Sequence, residues 1–270
     1  MFRWCSYCQH LIGESAPLDD FRLTHGICAR CAAAFDDDPS PAPDLLAKRI
    51  QRELEVASRS GDFELAAASI RLALESGIQA SEVLVGVLSP ALYAIGMRWE
   101  CGELTVAEEH RFTAFCSTVI DQFAAYERAA PHPSLVLAPM AGNAHELGLR
   151  MLQHLAWERD LSCRRLPVGA TAEEIVAAGR TLRPRYFGLS VSLVESIPAA
   201  IEFGHRLRDA LPAESSMALG GPAFRRRGVQ SPDADLQILR TVDEFLAWIE
   251  PPRSEAAPAT GNGISSPPPP

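Results

Sequence analysis

The sequence predicts a chain of two fold classes: an all-α helical bundle followed by an α/β domain on a parallel sheet, preceded by a small cysteine-rich module. Three observations predict this. Residues 1–35 hold four of the seven cysteines, as two Cys-x2-Cys pairs. Residues 45–130 parse into four amphipathic helical segments with short connections, as in a bundle. Residues 134–250 alternate short apolar runs with helical stretches, the pattern of a parallel sheet with helices on both faces.

Composition narrows the function classes. The 270 residues are 47% hydrophobic and 22% charged, which excludes wholesale disorder. The formal charge of -9 makes the chain a poor unaided nucleic-acid binder, because phosphate affinity needs clustered cations. Lys48 is the only lysine, which argues against a lysine Schiff base or a P-loop lysine. The most apolar stretch, 83–97, has fifteen residues and contains Pro90, so it reads as too short to span a bilayer. The N-terminus carries no signal-peptide pattern, and a cytoplasmic setting with reduced thiols is expected.

In chain order, Cys5, Cys8, Cys28 and Cys31 have the spacing of a tetrahedral four-thiolate zinc site. His10 or His25 offers a substitute for one thiolate. A closed site of this kind reads as folding energy for a segment too short to form a core alone. A redox reading of the two pairs lacks a surrounding βαβ pattern. Residues 36–44 (DDDPSPAPD) read as a linker. The bundle helices are expected at 45–58, 62–76, 81–99 and 105–128. Asp62 caps the second, Pro90 kinks the third, and Thr105-Val-Ala-Glu108 forms a capping box on the fourth. Val106, Glu109, His110, Thr113, Cys116 (or Ser117), Ile120 and Phe123 recur at helical spacing, placing Glu109 and His110 beside the apolar face. Strands are expected at 135–139, 162–167, 186–191, 216–219 and 236–240, and helices at 146–159, 172–182, 197–211 and 242–249. The tail, 251–270, cannot bury enough apolar surface to fold.

In open α/β sheets ligands sit beyond the carboxyl ends of the strands. Three small or polar clusters fall there. The first is Gly142-Asn143-Ala144-His145-Glu146-Leu147-Gly148, after the first strand. The second is Ser190 and Ser192, at the end of the third. The third is Gly220-Gly221, at the end of the fourth. Gly148 would let its helix approach the sheet, and the three ends together would leave a slot. A second constellation is Trp99, nine residues, then Glu109-His110, at one end of the bundle; alone it reads as a surface Glu–His pair beside a core tryptophan. Arg225-Arg226-Arg227 reads as a solvated loop rather than a phosphate site. Cys101, Cys116 and Cys163 read as core or near-core residues, and Met97, Met140 and Met151 as packing.

These clusters resemble the cobalamin-binding domain, whose pattern is Asp-x-His-x-x-Gly, then Ser-x-Leu, then Gly-Gly. The resemblance implies a flavodoxin-like five-stranded sheet, His145 as lower axial ligand of cobalt, Ser190 and Ser192 at the nucleotide tail, and Gly220 and Gly221 lining the slot. Asn143 replaces the aspartate and Ser192 the leucine; an asparagine can orient the ring but cannot accept a proton as a carboxylate does. Trp-x9-Glu-His resembles the CarH-type light sensors. That likeness implies that Trp99, Glu109 and His110 crowd the adenosyl group of adenosylcobalamin, whose cobalt–carbon bond light breaks. It departs at two points. Those proteins begin with a DNA-binding helix-turn-helix, where this chain has four cysteines. They also place a histidine directly after the tryptophan, where this chain has Glu100. The expected function is therefore a non-enzymatic, cobalamin-dependent sensory protein acting through a regulatory protein partner rather than through DNA, with homo-oligomers possible. The alternatives are a methyl-carrying corrinoid protein and a haem-binding regulator on the same fold.

Overall fold

The computed structural model describes residues 1–34, 45–123, 130–225 and 236–250. The expected linker at 36–44, the end of the fourth bundle helix, Arg226, Arg227 and the tail lie outside the described residues.

The first module is a three-stranded sheet, β1 (Phe2–Cys5), β2 (Leu11–Glu14) and β3 (Leu23–Gly26), followed by the short helix α1 (Ala29–Ala33). β1 is central, antiparallel to β2 and parallel to β3. Phe2 and Trp4 alternate inward from β1 and are fully buried.

The bundle comprises α2 (Leu46–Ser60), α3 (Glu64–Glu75), α4 (Ala80–Val83), a π-helical segment (Leu84–Leu88), α5 (Ser89–Glu100) and α6 (Val106–Phe123). Ile50, Leu54 and Ala57 recur on one face of α2, which buries that face, and Gly61 closes the helix in a left-handed conformation. Asp62 does accept from the Glu64 amide at 3.1 Å, with Phe63 as the N-cap residue. The Thr105–Glu108 capping box forms as expected, both ways.

Two expectations about the bundle change. Pro90 stands inside the helical run as the second residue of α5, and just upstream the chain makes one π turn: the Ser89 amide reaches back five residues to the Leu84 carbonyl. The helical run Ala80–Glu100 is also 21 residues long with mean hydropathy 1.5, within spanning length, but half of its apolar window is buried inside the bundle. On α6 the buried face is Phe112, Cys116, Val119 and Ile120. Val106 is exposed, so the expected stripe is rotated and the first turns of α6 face outward.

The α/β domain runs β4 (Leu135–Pro139), α7 (Leu147–Trp157), β5 (Cys163–Arg165), α8 (Ala172–Leu182), β6 (Tyr186–Ser190), α9 (Ile197–Ala210), β7 (Ser216–Gly220), β8 (Gln237–Leu239) and α10 (Val242–Ile249). All strands are parallel, in the order β5-β4-β6-β7-β8. Order reverses between β4 and β6, which makes their carboxyl ends the topological switch point. β4 is buried on both faces: Leu135 and Leu137 enter one apolar core, Val136 and Ala138 another. The first of these cores is continuous from Phe2 and Trp4, through the bundle, to Trp248 and Ile249. Arg150 of α7 fastens the bundle to the sheet layer by donating to the Ser117 hydroxyl at 2.6 Å and to the Asp121 carboxylate.

Candidate functional site

The sequence-marked residues of the α/β domain converge at the switch point. After β4 the Met140 amide donates to the Ser190 carbonyl at 2.8 Å, tying the ends of β4 and β6 together. Asn143 then spans the gap. Its Nδ2 donates to the Ser192 hydroxyl at 2.9 Å and, at 3.4 Å, to the Ser190 carbonyl. Its Oδ1 accepts from the backbone amide of His145 at 2.9 Å, which fixes which end of the amide is oxygen. The same Oδ1 lies 2.9 Å from His145 Nδ1. An oxygen acceptor requires Nδ1 to carry a proton, so in the neutral ring Nε2 is the nitrogen with the lone pair. His145 is exposed, and Asn143 thus selects Nε2 as the nitrogen available to a ligand at the sheet edge.

The small residues act differently from one another. Gly221 has φ +109°, and a Cβ there would lie 2.5 Å from the Val191 carbonyl oxygen, so only glycine allows β7 to end against β6. At Gly220 a Cβ would lie 3.2 Å from the Leu239 carbonyl oxygen. Gly148 does not serve close helix–sheet packing: a Cβ there meets nothing within 4 Å, because the first turn of α7 faces open space beside the His145 loop.

The second constellation lies at the joint between α5 and α6. Trp99 occupies the last turn of α5, and residues 101–105 return the chain into α6. Glu109 accepts from the Thr113 hydroxyl at 2.8 Å and lies 3.6 Å from His110 Nε2, as a surface pair. The Trp99 residue is 45% exposed and the His110 side chain 73%, so the tryptophan is not core. Met97 and Val106 are exposed as well, leaving an apolar surface around two polar groups.

The four cysteines meet at the end of β1. Their sulfurs all lie within 4.8 Å of one another, and Cys8 Sγ is 3.7 Å from Cys28 Sγ. An ion bound tetrahedrally at about 2.3 Å from each sulfur requires an edge of about 3.8 Å. Cys28 caps α1, and its sulfur accepts from the Cys31 amide at 3.4 Å. Burial pushes the Cys5 thiol up, but the Cys8, Cys28 and Tyr7 backbones and the Cys8 side chain outweigh it and hold it at about 6. The Cys31 thiol is pushed up to about 12 by desolvation and by donation toward the neighbouring sulfurs. Four sulfurs this close together suit a cation that deprotonates them on binding. His10 is not a fourth-ligand substitute: its Nδ1 lies 2.9 Å from the Glu82 carboxylate. Cys116 and Cys163 are buried and Cys101 is exposed.

Residues that sequence reasoning missed join the modules. Arg225 is not in a solvated loop. It is buried, donates to the carbonyls of Leu18 and Arg240 at 3.1 Å each and pairs with the buried Glu14 carboxylate. Phe2, Phe21 and Tyr93 flank its guanidinium at 5.7, 5.6 and 5.5 Å. A signal was present in the spacing of Gly86 and Pro90: the proline has no N–H for the Gly86 carbonyl, which accepts from the Trp4 indole at 3.3 Å instead.

Comparison with known proteins places these features. The family described as B12 binding domain matches residues 50–123, which span α2 to α6. The HTH-type transcriptional repressor CarH of Myxococcus xanthus is 36% identical over 146 residues, covering 52% of this chain and 46% of that protein. The chain thus spans about half the length of that relative. Among solved structures, the monomethylamine corrinoid protein of Methanosarcina barkeri superposes with a TM-score of 0.58 at 14% identity, covering 74% of this chain and 97% of that one. That likeness is one of fold: helices followed by a five-stranded parallel sheet.

Proposed function

We propose that this chain, a cobalamin-binding, CarH-like regulatory protein, holds adenosylcobalamin at the carboxyl edge of its sheet and signals its state to a protein partner in transcriptional control. The carrying observation is the Asn143–His145 pair, which offers a lone-pair nitrogen at the switch point. His145 would hold the cobalt through Nε2. Ser190, Ser192, Gly220 and Gly221 would border the nucleotide tail, and the open space at Gly148 would leave it room. Trp99, Glu109 and His110 serve the upper face: Trp99 supplies a flat apolar wall, and Glu109 accepts hydrogen bonds that now come from Thr113. When bound, the cofactor supplies a light-sensitive cobalt–carbon bond. The chain's own part is differential: side chains that touch the adenosyl group stabilise one arrangement of bundle and sheet only while that group is present. The four-cysteine element holds zinc, and the acidic surface favours a protein partner over direct DNA contact, in the cytoplasm.

The test is an absorption spectrum of protein expressed with cobalamin supply, in darkness and after green light, paired with size-exclusion chromatography. The expected result is a light-dependent change in both. Cobalamin binding with no effect of light on oligomeric state or partner capture would contradict the sensor reading and favour a methyl carrier.

A further inference from the structure

The four-cysteine element contacts two bodies, not one. Toward the bundle, Gln9, which directly follows Cys8 with φ +58°, accepts from the Leu46 amide at 2.9 Å and so caps α2. Glu82 of α4 accepts from the Leu11 amide at 2.8 Å through Oε1, while its Oε2 lies 2.9 Å from His10 Nδ1 and caps its own helix at the Gln79 amide. Trp4 fills the space left by Gly86, where a Cβ would lie 2.5 Å from Cζ2 of the indole. Phe21 stacks on Tyr93 at 4.4 Å between ring centroids. Toward the α/β domain, the Glu14 carboxylate accepts from the Val242 amide at the start of α10 at 3.0 Å and pairs with Arg225. Arg225 lies four residues beyond Gly221, at the same sheet edge as the His145 loop.

We infer that the four-thiolate metal site is an intramolecular latch: its ion holds together the knuckle that caps α2 and the sheet that grips Arg225 and α10, and so locks the bundle onto the α/β domain. A segment of 34 residues has little core of its own. Its two surfaces face different bodies, so its folding adds to the coupling that Arg150 and the shared core already supply. Cys5 ends the strand that carries Phe2 and Trp4, and Cys8 precedes Gln9. Removing the ion frees the knuckle and the strand together, and thereby opens both contacts. Loss of the ion by chelation becomes a signal in its own right, read by the same domain movement that the proposed cofactor controls.

This inference rests on the metal reading of the cysteines, and one experiment separates the two. Full-length protein is assayed for zinc, then compared by hydrogen exchange before and after chelation. The expected result is about one zinc per chain, and a fall of at least about tenfold in protection on chelation for peptides spanning 84–93 and 240–249, while 135–139 at the sheet centre holds. Protection lost only within residues 1–34 would overturn the latch although zinc binds. Protein without zinc would overturn the metal reading, and the latch with it. Because cysteine variants can fail to fold, Arg225→Met in zinc-loaded protein provides a second arm. It should keep its zinc and still lose protection at 240–249; unchanged protection there would also overturn the latch.

Discussion

Arg225→Met removes a cation from a place where its partner cannot follow it into water. The Glu14 side chain is 2% exposed and that of Arg225 6%, so the carboxylate left behind keeps one amide donor, Val242, and loses its counter-charge. The Leu18 and Arg240 carbonyls lose their donors too. Methionine approximates the apolar stem and retains contact with Phe2, Phe21 and Tyr93, so little of the loss is packing. Removing one partner of a buried pair costs about 3–5 kcal/mol, because an uncompensated charge remains. Replacing both partners costs much less. Glu14→Gln together with Arg225→Met should therefore be more stable than Arg225→Met alone, with a coupling energy of about 2 kcal/mol or more. Urea unfolding of wild type, both singles and the double, followed by far-UV circular dichroism, yields this cycle. A single-variant cost below about 1 kcal/mol, or additive effects, would refute the view that Arg225 is a buried keystone rather than a surface arginine.

Three further expectations follow from the same contacts. Gly86→Ala gains about 1 kcal/mol of helix propensity but drives a Cβ against Trp4 and Leu11, an overpacking penalty of about 1–3 kcal/mol, so net destabilisation in urea is expected, with Trp4 emission shifted to the red. Asn143→Ala frees the His145 ring and should weaken corrinoid binding about 10–100-fold in a spectral titration, whereas Asn143→Asp should bind at least as well as wild type. Burial, and then the nearby Glu14 and Glu244 charges, raise the Asp243 carboxyl above its ordinary value. A raised folded value means the native state binds the proton more tightly than the unfolded chain. That contribution is present at low pH and lost as pH rises through the raised value. Asp243→Asn should thus gain stability relative to wild type between about pH 4 and pH 7; denaturation midpoints that differ equally at both pH values would contradict this.

Much of the architecture was legible because it is local. Thr105–Glu108 and Asp62 announce helix starts by their own side chains, and alternating apolar runs with intervening helices lead to a parallel sheet in one order. The convergence of Asn143, His145, Ser190 and Ser192 was legible for a related reason: all lie at or just after strand ends, and strand ends of parallel neighbours meet. What stayed hidden depends on partners far apart in sequence. Arg225 sits in a run of three arginines, which reads as solvated until Glu14, 211 residues away, is brought beside it. Pro90 was visible, but the π turn beside it was not, because the indole that meets the Gly86 carbonyl comes from Trp4, 82 residues upstream. The stripe on α6 was rotated by including Val106, whose apolar side chain is exposed.

The central claim, that His145 offers Nε2 to cobalt, is tested most directly by the absorption spectrum of His145→Ala reconstituted with cobalamin in darkness, alongside His110→Ala. His145→Ala should give a base-off spectrum or lose most bound cobalamin, and His110→Ala should keep the lower-ligand signature unchanged. A wild-type spectrum and affinity in His145→Ala would contradict it.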